Sequence, residues 1–586
     1  MNGIANAAMA ATLRGQGFGG IWCPGQRCEV AWAGAASPGA CNGRVGLASE
    51  GTLRLAWHGD FHDLAPLRHD LVLPSEAALG AVLLAGWRRW STDLFGRLNG
   101  AHVLAIAEGD NLVLYRDKSG LRNLYVDTRS AGEVAFATSL STLQALPSAT
   151  ARVRPAGLHE YLRFLDIAAP ATLFDGIAAV EPGQMLRWAG GRLVGQPAPV
   201  GAVPPLPSTA SLDEAVGALA QALERSIQLR VADASTPAVF LSGGIDSALL
   251  CALAARHRPD ITAVTVGFDD AQDDESPIAA RIAAHLGVRH QILRFDRRQY
   301  LDAFDRYAEA ADQPMADPAI LPTLLAFEHC VPRFDVVLDG TGADESLGMM
   351  PARHVRLAVR SANWLPILVR RGLVGALRRV ARLAPYARIL DFDHPADTMI
   401  RWNGFTRTEI EALCGRPVSF EATRFYATYR RLRLASAFDL YSALLDAMPC
   451  ERLTQAMAIT GLDVRYPFCD PATDGLVRQL RTDYRYLPGA PKRIARELLA
   501  RLVPVQFWDV PKHGFNFPLR RWLAGENGAL VQRGVDSTAW RRTGLLDAEH
   551  VAALGRRFAA SDPAVTFRIW ALVVLAAWLD RRPTLR

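Results

Sequence analysis

The sequence predicts two domains of different class: a β-rich, antiparallel α+β domain over residues 1–195 and an α/β domain over residues 211–586, with a parallel sheet and a helical C-terminal part. Three observations carry this reading. Short runs of alternating apolar and polar residues fill the N-terminal third, as antiparallel strands with one solvated face require. The stretch from Gly195 to Ser211 holds five Pro and no charge, which forbids regular structure and marks a linker at 196–210. Beyond it, apolar runs separated by helix-length segments give the βαβ pattern of a parallel sheet.

Taken in order, Leu53-Arg54-Leu55-Ala56-Trp57, Ala101 to Ile106 and Asn111 to Tyr115 are the N-terminal strands. After the linker, Ser211-Leu212-Asp213-Glu214 has capping-box spacing and opens a helix over Ala215 to Leu229. Runs at 237–241, 261–268 and 335–339 are the parallel strands, and from about residue 350 the strand signal gives way to helix rich in Leu, Ala and Arg. From Arg353 to Arg388 there are nine Arg and no Asp or Glu. That segment reads as an amphipathic helical pair with a solvated basic face, or as a docking surface for an acidic peptide or partner.

Composition narrows the function classes. Half the 586 residues are apolar and 21% are charged, which places the chain among ordinary globular proteins. A net charge of +6 is mild for this size and gives no reason to expect a nucleic acid partner. Eight scattered Cys without a Cys-x-x-Cys pair make neither a disulfide scaffold nor a zinc site, so buried thiols are expected. No secretory h-region opens the chain, and the late apolar run Ile569 to Leu579 is far short of the ~20 residues of a membrane span. A cytoplasmic location without a membrane span is the expectation.

The chemistry gathers in two strand-end loops. Leu241-Ser242-Gly243-Gly244-Ile245-Asp246-Ser247 lies between an apolar strand and a helix-like Ala/Leu run. Unpaired amides and the helix dipole make such a turn an anion pocket. It lacks the Gly-Lys-Ser/Thr ending of the P-loop and resembles instead the Ser-Gly-Gly-x-Asp-Ser pyrophosphate loop of enzymes that split ATP into AMP and pyrophosphate. The second loop, Leu338-Asp339-Gly340-Thr341-Gly342-Ala343-Asp344-Glu345, also ends a strand and opens a helix. Asp246 and Asp344 are therefore expected to converge on one Mg²⁺, an ion that takes oxygen ligands and substrate phosphates.

With Arg452 to Met457, Val464 to Asp470 and Pro511-Lys512-His513-Gly514-Phe515-Asn516-Phe517-Pro518, these loops resemble the asparagine-synthetase family from about residue 211 to 580. The N-terminal domain is similar to that family's class II glutaminase domain through His58 to Leu64, Leu98-Asn99-Gly100 and Arg116 to Leu121. The resemblance implies a degenerate glutaminase-like sandwich followed by a pyrophosphate-loop synthetase domain. It implies an ATP site of Leu241, Ser242, Gly243, Gly244, Asp246, Ser247, Val266, Gly267, Asp339, Gly340 and Lys512, with Lys512, Asp246, Asp344 and Thr341 in catalytic positions. Glu451 and Asp463 are candidate bases, Arg465 is either a phosphate ligand or an ion-pair partner, and Asp269, Asp270, Asp273, Asp274 and Glu275 read as a solvated turn, in a loop that flanks the adenine site in relatives.

Departures from the family pattern direct the functional expectation. The family's nucleophilic Cys directly after the initiator Met is Asn2 here, its substrate-binding Asn-Gly is His58-Gly59, and its Gly-Ser-Asp clamp is Pro74-Ser75-Glu76. In the second loop Thr341 stands where asparagine synthetases carry Glu and β-lactam synthetases carry Tyr. An ATP site without an ammonia supply leaves the amine to the substrate. The expectation is a ligase like the lasso-peptide cyclases, which adenylates an Asp or Glu side chain of a precursor peptide and closes a macrolactam on its N-terminal amine. A leader-binding protein and a leader peptidase are the partners this implies. A β-lactam-synthetase-like ligase, an ammonia-fed asparagine synthetase and a peptide-binding pseudoenzyme stay open.

Overall fold

In the computed structural model, the described residues are 17–23, 29–33, 44–130, 132–146, 152–197, 211–269, 274–350, 356–357, 365–378, 380, 394–398, 404–448, 451–510, 517–525 and 527–585. Most of the linker at 196–210, Lys512, and most of the arginine-rich segment lie outside them. So do Asn2, Asp270 and Asp273.

The N-terminal domain carries β1 (Gly17–Trp22), β2 (Glu29–Ala33), β3 (Val45–Glu50), β4 (Leu53–Gly59), β5 (His102–Glu108), β6 (Asn111–Arg116), β7 (Tyr125–Asp127), β8 (Val134–Ala137), β9 (Ile177–Ala179), β10 (Gln184–Ala189) and β11 (Arg192–Pro197). They form two antiparallel sheets, ordered β2-β1-β8-β7-β9 and β11-β10-β6-β5-β4-β3. Side chains of both sheets, among them Phe18, Phe136, Val103 and Leu114, share one buried cluster, so the architecture is a sandwich. On its other face the larger sheet packs Leu55, Leu104 and Val113 under the helix Leu79–Trp90 through Val82 and Leu83.

The second domain is built on β12 (Pro237–Phe240), β13 (Thr262–Val266), β14 (Arg289–Leu293), β15 (Val336–Leu338) and β16 (Val464–Arg465). All neighbours in this sheet pair parallel, in the order β14-β13-β12-β15-β16. Because side chains alternate across a strand, Val239, Ala263 and Val336 enter the core under the helices Leu212–Val231 and Ile245–His257. Ala238, Val264 and Val337 enter the opposite core, under Ile320–Cys330. The capping box at Ser211 is present: its hydroxyl accepts the Glu214 amide at 3.2 Å, and the Glu214 carboxylate accepts the Ser211 amide at 2.7 Å.

Chain order reverses between β12 and β15, the first and fourth strands of this sheet. At such a switch point the loops leave in opposite directions and open a crevice at the carboxyl ends of the strands. Both loops singled out in the sequence emerge there. The strands β14 and β16 carry no sequence expectation: β14 reads Arg-His-Gln-Ile-Leu, too polar to stand out, and β16 has two residues.

Among the described residues no cysteine pair forms a disulfide, and Cys251 and Cys330 are buried. One helical segment, Pro563–Asp580, is apolar enough over 18 residues to cross a membrane, but 67% of it is buried in this fold. It supplies Ile569, Trp570, Leu572 and Trp578 to the large core.

Candidate active site

The first loop is organised by its own serines. Ser247 Oγ accepts the Ser242 amide at 3.0 Å and lies 2.9 Å from Ser242 Oγ, which in turn accepts the Gly244 amide at 3.1 Å. These bonds hold the Gly-Gly turn against the helix Ile245–His257, where Asp246 occupies the first turn. The second loop passes within van der Waals reach, since a Cβ on Gly340 would sit 3.4 Å from both Asp246 Cβ and the Ser247 amide nitrogen. Gly342 has φ +96°, and a Cβ there would stand 2.5 Å from Cys469 Sγ. No larger residue fits that turn without displacing the loop.

One lysine binds the two loops together. Lys492 Nζ is ion-paired with Asp246 Oδ2 and lies 2.5 Å from Asp344 Oδ1. Burial alone would lower the ammonium pKa, but the two carboxylates overcome it and hold the group above its ordinary value. Its backbone is in the left-handed region at φ 56°, ψ 41°, uncommon for a residue with a Cβ and concentrated at functional positions. The side chain enters the site from the start of the helix Arg493–Ala500.

Sequence reasoning placed the stabilising cation at Lys512, which lies outside the described residues, and missed Lys492. A signal was present. The chain has three lysines, at 118, 492 and 512, and meets nearly every other need for a cation with Arg. A compact ammonium kept among so many guanidiniums marks chemistry that a planar fork does not perform.

A cavity of about 180 Å³ lies against the first loop, with Leu241, Ser242, Ser247, Val266, Asp339 and Gly340 in its wall. Phe268 and Phe327 add apolar surface suited to a nucleobase. Gly267 stands behind this wall, its amide donating to Leu293 O at 2.8 Å. The adjoining acids stabilise the loop: Asp274 accepts the Ser276 amide at 3.0 Å and hydroxyl at 2.9 Å, and pairs with Arg294 at 2.9 Å.

Other expected residues fall into place around this centre. The Thr341 hydroxyl donates to Asp339 Oδ1 at 2.5 Å, so it braces the loop. Arg465 is an ion-pair partner, bound to Asp463 at 2.9 Å and Asp233 at 2.6 Å, and Asp463 also pairs with Arg44. Asp463 is thereby committed to guanidiniums and is not placed as a base. Glu451 accepts from Asn123 at 2.9 Å and from the Thr454 hydroxyl at 2.6 Å.

The glutaminase-like corner is built differently from a glutamine clamp. Asp60 pairs with Arg122 at 2.8 Å and with Arg44 at 3.6 Å. Burial, then Arg122, push the His58 imidazole down to about 3, so it is neutral. Glu76 is exposed and accepts a hydrogen bond from Ser75 at 2.9 Å.

Comparison with known proteins matches this layout along nearly the whole chain. Residues 218–580 match the family model described as asparagine synthase, and residues 10–197 match that of a glutamine amidotransferase domain. A putative glutamine-hydrolysing asparagine synthetase of Mycobacterium tuberculosis is 26% identical over 568 residues, covering 89% of this chain and 84% of the relative. Asparagine synthetase 1 of Bacillus subtilis is 23% identical, covering 85% and 80%. A carboxyethyl-arginine beta-lactam-synthase of Streptomyces clavuligerus is 29% identical over 272 residues, 45% of this chain and 49% of the relative.

Proposed function

Because the chain belongs to the asparagine synthase family, whose members are ATP-dependent amide-forming ligases, we propose that it activates a side-chain carboxylate of a precursor peptide as an acyl-adenylate. The peptide's own N-terminal amine then closes an isopeptide ring, as in lasso-peptide cyclases. The observation that carries the ATP half is the cluster of Asp246, Lys492 and Asp344 where the two loops meet.

The substrate carboxylate attacks the α-phosphorus of ATP, and the bond from that phosphorus to the bridging oxygen breaks. Pyrophosphate leaves with the electron pair, toward the amides and hydroxyls of Ser242–Ser247. Lys492 supplies a fixed positive charge where negative charge develops, an effect far larger in a closed site than in water. The amine then attacks the acyl carbon, the carbon–oxygen bond to AMP breaks with AMP taking the electron pair, and the amine's proton passes to water. Holding both ends of one molecule together is the main lever on this step.

Mg²⁺ fits the donor set. Asp246 and Asp344 are hard oxygen ligands that already hold a cation, the Lys492 ammonium, between them. When bound there, the ion supplies charge neutralisation on the phosphates.

Substrate-supplied amine is favoured over ammonia by three features: Thr341 in the second loop, the commitment of Asp60 to two guanidiniums, and the exposure of Glu76. The likeness to a beta-lactam-synthase supports a second, small-molecule version of the same chemistry. The test is incubation of the purified protein with ATP, Mg²⁺ and peptides that carry a free N-terminal Gly and a downstream Asp or Glu. Pyrophosphate release with a product lighter by one water is expected. No pyrophosphate with any peptide, or asparagine formed from aspartate and ammonia, overturns the reading.

A further inference from the structure

The second loop also borders a larger cavity, a chamber of about 440 Å³ that the ATP half-reaction does not use. Thr341 and Gly342 form part of its wall, and it reaches across to the N-terminal domain at Phe95, Tyr115 and Arg116. Asp339 and Gly340 of the same loop face the nucleotide cavity instead. The chamber's volume falls within the ~300–1,000 Å³ of small-molecule sites.

Among the charged groups of this wall, Arg424 is the one the fold does not use. It opens the helix Arg424–Leu432, after the N-cap Thr423, where the helix dipole disfavours a cation. Its side chain is partly buried, and burial lowers the guanidinium from its ordinary value; Arg116 and Arg431 add to the effect, and Glu181 and Asp446 oppose it. Neither of those carboxylates closes on it, and no described residue forms an ion pair or hydrogen bond with Arg424. The neighbouring charges are engaged elsewhere. Asp446 and Asp474 pair with Arg478 at 2.9 and 2.6 Å, and Lys118 pairs with Asp474 at 2.6 Å. Asp117 accepts the amides of His102 and Ser119, Glu451 accepts from Asn123 and Thr454, and Glu345 accepts the Gly342 amide. Arg116 donates to Val180 O, Gly120 O and Asn123 Oδ1. The five N–H donors of Arg424 are therefore the largest unused donor set in the chamber. A desolvated charge without a partner costs stability, and a residue kept at such a cost marks a binding function.

We propose that Arg424 receives a carboxylate of the substrate, held in the chamber as a bidentate ion pair and separate from the carboxylate that ATP activates. The planar guanidinium fork matches a carboxylate in geometry as well as charge. Leu445, Met448 and Phe468 supply apolar wall around it, and keeping water from the pair strengthens it. The activated carboxylate has to reach the nucleotide side of the second loop, whereas Arg424 lines the chamber and not the nucleotide cavity. Arg424 thus selects a substrate that carries a second acidic group. That the bearer is a peptide rests on the ligase reading; binding of the carboxylate does not. On a peptide the group is either an acidic side chain or the C-terminus.

The test uses the full chain and three small probes: N-acetylglycine, with a terminal carboxylate; N-acetylisoglutamine, with a side-chain carboxylate; and N-acetylglycinamide, with none. Ligand-observed saturation-transfer NMR is expected to show at least one of the two acids on the wild type, bound at least tenfold more weakly by Arg424→Gln, and no binding of the neutral probe. The acid that binds tells side chain from terminus, and binding of both supports the shared chemistry. Arg424→Gln is also expected to keep or raise the thermal midpoint of the unliganded protein, because no partner is lost. A lower midpoint or a failure to fold means that Arg424 serves the fold, and overturns the proposal. So does binding of neither acid, equal binding of the neutral probe, or unchanged affinity in Arg424→Gln. Pyrophosphate release is scored separately, so failure of the carboxylate site and failure of the ligase reading are distinguishable.

Discussion

Lys492 shows how much one residue holds at this site. Its ammonium neutralises two carboxylates that would otherwise repel across the loops. Lys492→Ala is expected to lower pyrophosphate release by ~10²–10³-fold, the usual cost of removing one charge-stabilising donor. Lys492→Arg is expected not to restore it, because a planar guanidinium cannot place a point charge between the two acids; recovery of wild-type turnover in Lys492→Arg would remove that argument. In the sequence, Pro491-Lys492 and Pro511-Lys512 look alike, and only the folded chain shows that the Lys492 ammonium meets Asp246. A second residue-scale prediction concerns Glu160, whose acid burial pushes up to about 7 from 4.5. The folded state binds this proton more tightly than the unfolded state does, so the contribution is full below about 4.5 and is lost as pH rises toward 7. Urea midpoints of Glu160→Gln are expected to fall less than those of the wild type over that interval. Identical slopes would refute it.

At the scale of elements, the site is the product of one topological reversal. The sequence made β12, β13 and β15 legible because each is an apolar run ending in a turn, and the two loops were readable as Gly-rich strand-to-helix junctions. The neighbours β14 and β16 were not, because pairing with a sheet already formed, rather than local propensity, makes such short polar segments strands. The expectation of helix after residue 350 holds for most described residues, with β16 and the paired two-residue strands Tyr486–Leu487 and Ala490–Pro491 as the exceptions. The second loop turns through the left-handed region at Gly342, between Asp339 and Asp344. Gly342→Ala is therefore expected to cost ~1–3 kcal/mol through backbone strain, with an added clash against Cys469. Calorimetry and pyrophosphate release should both register the change, and a variant with wild-type stability and turnover would mean that the loop relaxes freely.

At the scale of the whole molecule, the two domains that composition separates are joined by a common interior. Leu158, Tyr161, Leu162 and Phe174 of the N-terminal domain lie in the same buried cluster as Trp570, Leu572 and Trp578 near the C-terminus. Tyr161 Oη donates to Ala571 O at 2.7 Å, and the Phe174 and Trp578 rings are 5.9 Å apart. Arg163 pairs with Asp397 at 2.8 Å and donates to Phe405 O at 2.9 Å. At the opposite contact Asp470 accepts from Asn99 of the N-terminal domain at 2.9 Å, and is itself held by Arg230 of its own domain at 2.9 Å. Pattern and composition cannot reveal such sharing, because residues 158–174 and 570–578 each read locally as parts of separate cores. A specific protease site inserted between residues 198 and 210 should therefore yield, after cleavage, two fragments that co-elute as one complex in gel filtration and retain pyrophosphate release. Asp470→Ala in the cleaved protein removes the carboxylate that accepts from Asn99 across the two fragments. It also leaves Arg230, the partner of that carboxylate within the C-terminal fragment, an uncompensated guanidinium at ~3–5 kcal/mol, and should shift the fragments toward dissociation. Separate elution of the cleaved wild-type fragments would mean that the shared interior does not hold the domains together.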